Sequence, residues 1–80
     1  MNRRALRRRL AQRPNAARFQ ELQRYLGLCD WTLARVRGSH YLFERSGEPA
    51  ALVVAYRRPH LLAVYVREAL KRTREEGDDG

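Results

Sequence analysis

Apolar residues recur at helical spacing early in the chain and predict a helix over residues 15–26. One side of this segment carries apolar residues at positions i, i+3 and i+7, namely Phe19, Leu22 and Leu26. Asn15 is a favourable N-cap after Pro14, and Gly27 is expected to end the helix in the left-handed conformation.

The pattern then changes to β-forming residues interrupted by turns. Three segments are rich in β-branched and aromatic residues: WTLARVR at 31–37, HYLFER at 40–45 and ALVVAY at 51–56. Gly38 and Ser39 separate the first two segments, and SGEP separates the second from the third. Because such short connections join antiparallel neighbours, we expect a three-stranded antiparallel sheet.

A second helix is predicted from Leu62 to about Thr73. Its expected inner face consists of apolar residues at helical spacing, namely Leu62, Val66, Ala69 and Leu70. Residues 75–80 are polar, and we expect them to form a disordered tail.

Residues 1–13 precede these elements and carry six arginines. Only Leu6 and Leu10 provide apolar side chains at helical spacing in this segment, which is too few for strong packing. We therefore expect a basic, partly helical arm that packs weakly. This divides the chain into the N-terminal arm (1–13), a folded domain (14–74) and the tail (75–80).

The predicted order helix–strand–strand–strand–helix is typical of a small α+β sandwich. Both helices would cover one face of the sheet and leave the other face open. Double-stranded-RNA-binding domains have this arrangement and recognise the shape of an A-form helix. Because one fold serves many functions, this likeness does not separate RNA binding from RNA cleavage.

Basic residues outnumber acidic ones by 17 to 9, and Lys71 is the only lysine among them. Guanidinium groups bind phosphate bidentately and stack on bases, so the arginine excess favours a nucleic-acid partner. A genome rich in G+C, an anionic membrane surface or an acidic protein partner would account for the same composition.

Other features narrow the class of protein. Cys29 is the only cysteine, so the chain has no internal disulfide and no Cys-x-x-Cys metal motif. The sequence contains no apolar run of signal-peptide length and none near the roughly 20 residues of a membrane span. We therefore expect a soluble cytoplasmic protein with no membrane association, no metal and no organic cofactor.

The sequence RGSHYLFER, residues 37–45, places His40 at the start of a strand. Cleavage of RNA by its own 2′-hydroxyl needs a base for that proton, and a histidine with an ordinary pKa of about 6.5 suits the task. Gly38 lets a phosphate approach closely, and Ser39 offers a hydroxyl or a backbone N–H. Nearby arginines can hold the phosphate: Arg35, Arg37 and Arg45. In the structural alternative, His40 would hydrogen-bond a neighbouring loop.

The remaining candidate residues have structural interpretations. His60 follows Pro59 and is expected to satisfy an N–H at the start of the last helix, with catalytic help as the alternative. Alternation along half-buried strands predicts a core position, rather than a base-stacking role, for Trp31, Tyr41 and Phe43. The sequence leaves Tyr56 and Tyr65 undecided.

The segment LGLCDWTLARVRGSHYLFER, followed by an apolar strand and the pair Pro59–His60, resembles the HicA toxin family over about residues 16–73. The resemblance implies a ribosome-independent mRNA interferase that a HicB antitoxin neutralises. Its GSH motif, residues 38–40, implies that His40 is the histidine required for RNA cleavage.

We therefore expect a toxin of a type II toxin–antitoxin system. It would be a metal-independent endoribonuclease that cleaves mRNA with His40 as general base or acid, with a HicB-like antitoxin as its protein partner. The alternative is a non-catalytic RNA-binding module of the same fold. A structural subunit that holds an acidic protein would explain the charge but would give the GSH motif no purpose.

Overall fold

A computed structural model of the chain describes residues 2–74. Within these residues the elements are α1 (Arg3–Gln12), a 3-10 turn (Pro14–Ala16), α2 (Phe19–Leu28), β1 (Thr32–Arg37), β2 (His40–Glu44), β3 (Leu52–Ala55) and α3 (Ala63–Arg72). The predicted α+β class and the three-stranded antiparallel sheet are confirmed. The described chain has three α-helices rather than two, and the predicted tail lies outside the described residues.

Helix α1 is a packed element, so the expectation of a weakly packed arm over residues 1–13 is wrong. Asn2 caps the helix, because its side-chain oxygen accepts a hydrogen bond from the Ala5 N–H at 2.8 Å. Leu6 and Leu10 lie one helical turn apart and are 4% and 1% exposed. Both belong to the same hydrophobic core as residues of α2, the sheet and α3, so the boundary expected at residue 14 runs through that core.

A buried arginine, Arg7, joins α1 to the other two helices. Its guanidinium donates hydrogen bonds to the Tyr25 hydroxyl at 2.6 Å, to Thr73 Oγ1 at 3.0 Å and to the Leu70 carbonyl at 3.1 Å. The Tyr25 hydroxyl and Thr73 Oγ1 also lie 2.9 Å apart. These contacts fix α1 against α2 and α3, which short-range sequence patterns do not reveal.

Helix α2 begins and ends later than predicted. Gly27 lies inside it, and Asp30, with a φ of 69°, takes the left-handed position after the helix. The Trp31 N–H donates to the Leu26 carbonyl at 2.9 Å and the Asp30 N–H to the Gly27 carbonyl at 3.1 Å, which is a Schellman ending. Asp is among the few residues that accept this conformation, and the ending directs the Trp31 side chain into the core.

The sheet has the order β1-β2-β3, so β2 is central. Directly paired residues of antiparallel strands share a face, and Phe43 is paired with Leu33 on one side and Leu52 on the other. Phe43, Leu52 and Val54 are buried on the helix-covered face. The core positions predicted for Trp31 and Phe43 are therefore confirmed, and the half-buried Tyr41 packs against the core.

Helix α3 has the bounds predicted for the second helix to within one residue at each end. Val66 and Ala69 are buried as expected, but Leu62 is 48% exposed and Leu61 fills the core in its place. No helix among residues 2–74 has both the length and the apolar character needed to cross a membrane.

Candidate functional site

The tight turn between β1 and β2 is formed by Gly38 and Ser39. Arg37 and His40 pair directly on either side of it, so the loop has two residues. Gly38 has a φ of 57° in the first loop position, where two-residue hairpins favour glycine. The first two residues of the GSH motif therefore have a structural role that also fixes where His40 begins its strand.

The open face of the sheet brings three of the predicted site residues together. His40 is paired with Arg37 on β1 and with Ala55 on β3, and the next row on this face contains Arg35, Leu42 and Val53. The face is opposite to the one that carries the buried Phe43 and Val54, because side chains alternate along a strand. His40, Arg35 and Arg37 are all exposed.

His40 is not held by its surroundings. Within residues 2–74 its imidazole has neither a hydrogen-bond nor an ion-pair partner. The structural alternative, a histidine hydrogen-bonded to a neighbouring loop, is therefore not what the described chain contains. Arg35 and Arg37 likewise have no carboxylate partner in this part of the chain, so both guanidinium groups can bind an external anion.

Two other charged residues of the hairpin lie far from His40. Glu44 shares the open face, but it lies four positions farther along the extended strand than His40, roughly 13 Å away at about 3.3 Å per residue. Arg45 follows the far end of β2, so the structure does not bring this predicted phosphate contact to His40. No cluster of three potential metal ligands among His, Cys, Asp and Glu occurs in residues 2–74.

His60 does not fulfil its expected role at the start of the last helix. The N-cap of α3 is Leu62, and no side chain caps it. The His60 carbonyl instead accepts a hydrogen bond from Arg57 Nη1 at 3.2 Å. His60 also lines a cavity together with residues of the α1–α2 junction, including Arg9, Arg13 and Arg18.

Three aromatic side chains that sequence reasoning left out of the site lie beside the turn. The ring centroid of Phe19 is 4.7 Å from that of Tyr41 and 5.1 Å from that of Tyr56. The Tyr56 N–H donates to the Ser39 carbonyl at 2.6 Å, which holds Tyr56 against the hairpin turn. The sequence feature that could have indicated a role for Tyr56 is YRR at 56–58, an aromatic residue followed by two arginines at the end of an apolar strand.

Not every arginine is available to an external ligand. Arg7 is buried among the helices, and Arg72 donates to the carbonyls of Ala50 and Ala51 at 2.6 and 2.9 Å. The Arg72 guanidinium also lies 5.0 Å from the centroid of the Trp31 ring. These two arginines stabilise the fold, so the excess of arginine is only partly a signal of anion binding.

Comparison of the chain with protein-family models, curated proteins and solved structures found no significant match. The resemblance to the HicA family therefore stays a prediction that depends on the GSH motif and its flanking segments.

Proposed function

We propose that this chain is an endoribonuclease that binds RNA on the open face of its sheet and uses His40 for proton transfer. The observation that carries the proposal is the pairing of His40 with Arg37, one row from Arg35, with all three side chains exposed. Directly opposite side chains have Cβ atoms about 4.5–5.5 Å apart, which is close enough for both to contact one phosphodiester.

His40 acts as the general base in the proposed cleavage step. The imidazole takes the proton of the 2′-hydroxyl, the 2′-oxygen forms a bond to phosphorus, and the bond from phosphorus to the 5′-oxygen breaks. Arg37 and Arg35 stabilise the additional negative charge on the phosphate oxygens. Water supplies the proton to the leaving 5′-oxygen, and the products carry 2′,3′-cyclic phosphate and 5′-hydroxyl ends.

The proposed biological role is that of the HicA-like toxins. The chain would cleave mRNA in the cytoplasm and would be neutralised by a HicB-like antitoxin. The net charge of +8 favours a negatively charged partner, whether RNA or an acidic protein. The α+β class with its three-stranded antiparallel sheet is compatible with the predicted likeness to double-stranded-RNA-binding domains. That likeness would favour contact with RNA but not a particular substrate.

A non-catalytic RNA-binding module is the second candidate. The observation that favours it is the distance of roughly 13 Å between His40 and Glu44, which apart from the arginines is the other titratable side chain that β1, β2 and β3 place on the open face. One histidine without a second proton-transfer group nearby is a weaker catalyst than a matched acid and base.

Replacement of His40 separates the two candidates. We expect wild-type protein to cleave unstructured RNA in EDTA, to leave 2′,3′-cyclic phosphate ends and to spare DNA of the same sequence. His40→Ala should abolish cleavage and growth arrest while circular dichroism stays unchanged, because the His40 side chain is exposed and has no partner within residues 2–74. His60→Ala is the matched control and should retain activity.

Other results would decide against the nuclease. Undiminished cleavage by His40→Ala would show that another group performs the chemistry. RNA that stays intact with wild-type protein, although binding is measurable, would establish the binding module instead. Cleavage that stops in EDTA would contradict a metal-independent mechanism.

A further inference from the structure

A groove lined by aromatic and basic residues lies next to the His40 turn. It has a volume of about 490 Å³, and the residues that line it are Arg18, Phe19, Gln20, Tyr56, Arg57, Arg58 and Pro59. This volume lies within the roughly 300–1,000 Å³ of sites that take small molecules, so a single nucleotide can fit.

The aromatic side of the groove is held in place by packing. Tyr56 is 38% exposed, and its ring meets Phe19 edge-on with centroids 5.1 Å apart. Tyr41 supports it from the helix-covered face of the sheet, with centroids 5.9 Å apart. A ring that is fixed by two neighbours and still partly exposed can stack on a base with little loss of side-chain entropy.

The basic side of the groove is available to phosphate. Arg57 and Arg58 are exposed, and within residues 2–74 neither has a carboxylate partner. The hydrogen bond from Arg57 to the His60 carbonyl orients that guanidinium without neutralising its charge. An aromatic ring beside unpaired arginines is the combination with which proteins bind single-stranded nucleic acid.

The groove and the proposed cleavage site are neighbours along the sheet. Ala55 is paired with His40, and the next residue, Tyr56, is bonded through its N–H to the Ser39 carbonyl. Tyr56 and His40 therefore lie at the same end of the sheet, with Tyr56 on the helix side and His40 on the open side. An RNA strand that passes over the Gly38–Ser39 turn would contact both.

We propose that this groove binds an unpaired nucleotide next to the cleaved bond, with its base stacked on Tyr56 and its phosphate held by Arg57 and Arg58. The inference depends on the proposed function and specifies its substrate as single-stranded RNA. A base in an A-form duplex is already stacked and paired, so its face is not accessible to Tyr56. A strand with an unstacked base can place that base in the groove.

The test uses the full chain with the His40→Ala substitution, so that RNA is bound without being cut. The probe is a 12-nucleotide RNA with one central 2-aminopurine, used single-stranded and in a perfect duplex. Binding of the single strand should change the 2-aminopurine fluorescence as that base stacks. A further Tyr56→Ala substitution should weaken this binding roughly 5- to 150-fold, which corresponds to the loss of one stacked base.

Tyr56→Phe is the matched control, because it keeps the ring and removes only the hydroxyl. It should bind the single strand within about twofold of the protein with Tyr56, and duplex binding should be unchanged by either substitution. Circular dichroism identifies any variant that fails to fold. Equal losses for alanine and phenylalanine, equal affinity for duplex and single strand, or a fluorescence signal independent of Tyr56 would each overturn the inference.

The failure of this inference can be distinguished from the failure of the proposed function. If wild-type protein cleaves RNA but Tyr56→Ala does not alter single-strand binding, the groove is not the nucleotide site and the nuclease remains. If the fluorescence signal depends on Tyr56 but no cleavage occurs, the groove is a binding site and the nuclease proposal fails.

Discussion

Replacing Arg7 by alanine tests whether α1 is an integral part of the fold. Arg7 is 6% exposed and donates three hydrogen bonds to α2, α3 and the residue after α3, through Tyr25, Leu70 and Thr73. No carboxylate of residues 2–74 pairs with it. The substitution removes all three bonds and the packing of the aliphatic stem.

The expected loss of stability follows from opposing contributions. Hydrogen bonds to a charged group are worth about 1.5–3 kcal/mol each, but a buried guanidinium also costs several kcal/mol in lost hydration. Tyr25 and Thr73 keep each other as partners at 2.9 Å, so alanine leaves neither hydroxyl without a hydrogen bond. We therefore expect a net destabilisation of about 2–3 kcal/mol for Arg7→Ala.

This loss is large for a chain of this size. At about 0.05–0.15 kcal/mol per residue, 80 residues have a stability of roughly 4–12 kcal/mol. Since 1 kcal/mol corresponds to about 4–8 °C in such a domain, the melting temperature should fall by roughly 8–24 °C. Urea denaturation followed by circular dichroism measures the free energy of unfolding directly.

Arg8→Ala provides the control, because Arg8 lies on the same helix, carries the same charge and is exposed. It should change stability by no more than about 0.5 kcal/mol. If Arg7→Ala and Arg8→Ala were equally stable, Arg7 would not hold α1 against the core, and the expectation of a weakly packed arm would regain support.

Two further predictions concern the turn and the buried tyrosine. Gly38→Ala should lower the free energy of unfolding by about 1–2 kcal/mol, because Gly38 has a φ of 57°. Gly27→Ala should raise it by roughly 0.5–1 kcal/mol, because Gly27 lies inside α2 and a Cβ there meets no neighbouring atom. Melting temperatures that shift in the same direction for both variants would contradict this. Burial raises the pKa of the Tyr25 hydroxyl above 10.0, although hydrogen bonds with Thr73 and Arg7 lower it. The folded state then keeps this proton at a pH where the unfolded state loses it, so stability should fall as the pH rises above about 10. The free energy of unfolding, measured by urea denaturation at several pH values, should fall less steeply with rising pH for Tyr25→Phe than for the wild type. The same pH dependence for both proteins would refute the role assigned to Tyr25.

Local sequence patterns were sufficient for the three strands and for α3. The strands and α3 are predicted to within one or two residues, because alternation with period two and recurrence with period 3.6 are properties of neighbouring residues. The tight turn at Gly38 was likewise readable, since a two-residue hairpin needs a glycine or a similar residue at that position. The sequence also singled out His40 and the arginines of its hairpin.

Tertiary structure decided the features that depend on distant partners. Arg7 is inside the protein because Tyr25 and Thr73, 18 and 66 residues away, accept its hydrogen bonds, and no local pattern distinguishes it from the exposed Arg8. Strand register determined that Arg35 and Arg37 share a face with His40 while Arg45 does not join them. The position of Tyr56 beside Ser39 depends on a backbone hydrogen bond between the residue after β3 and the turn before β2. A one-residue change in pairing would move these side chains to the other face, so the candidate site is a product of the folded sheet.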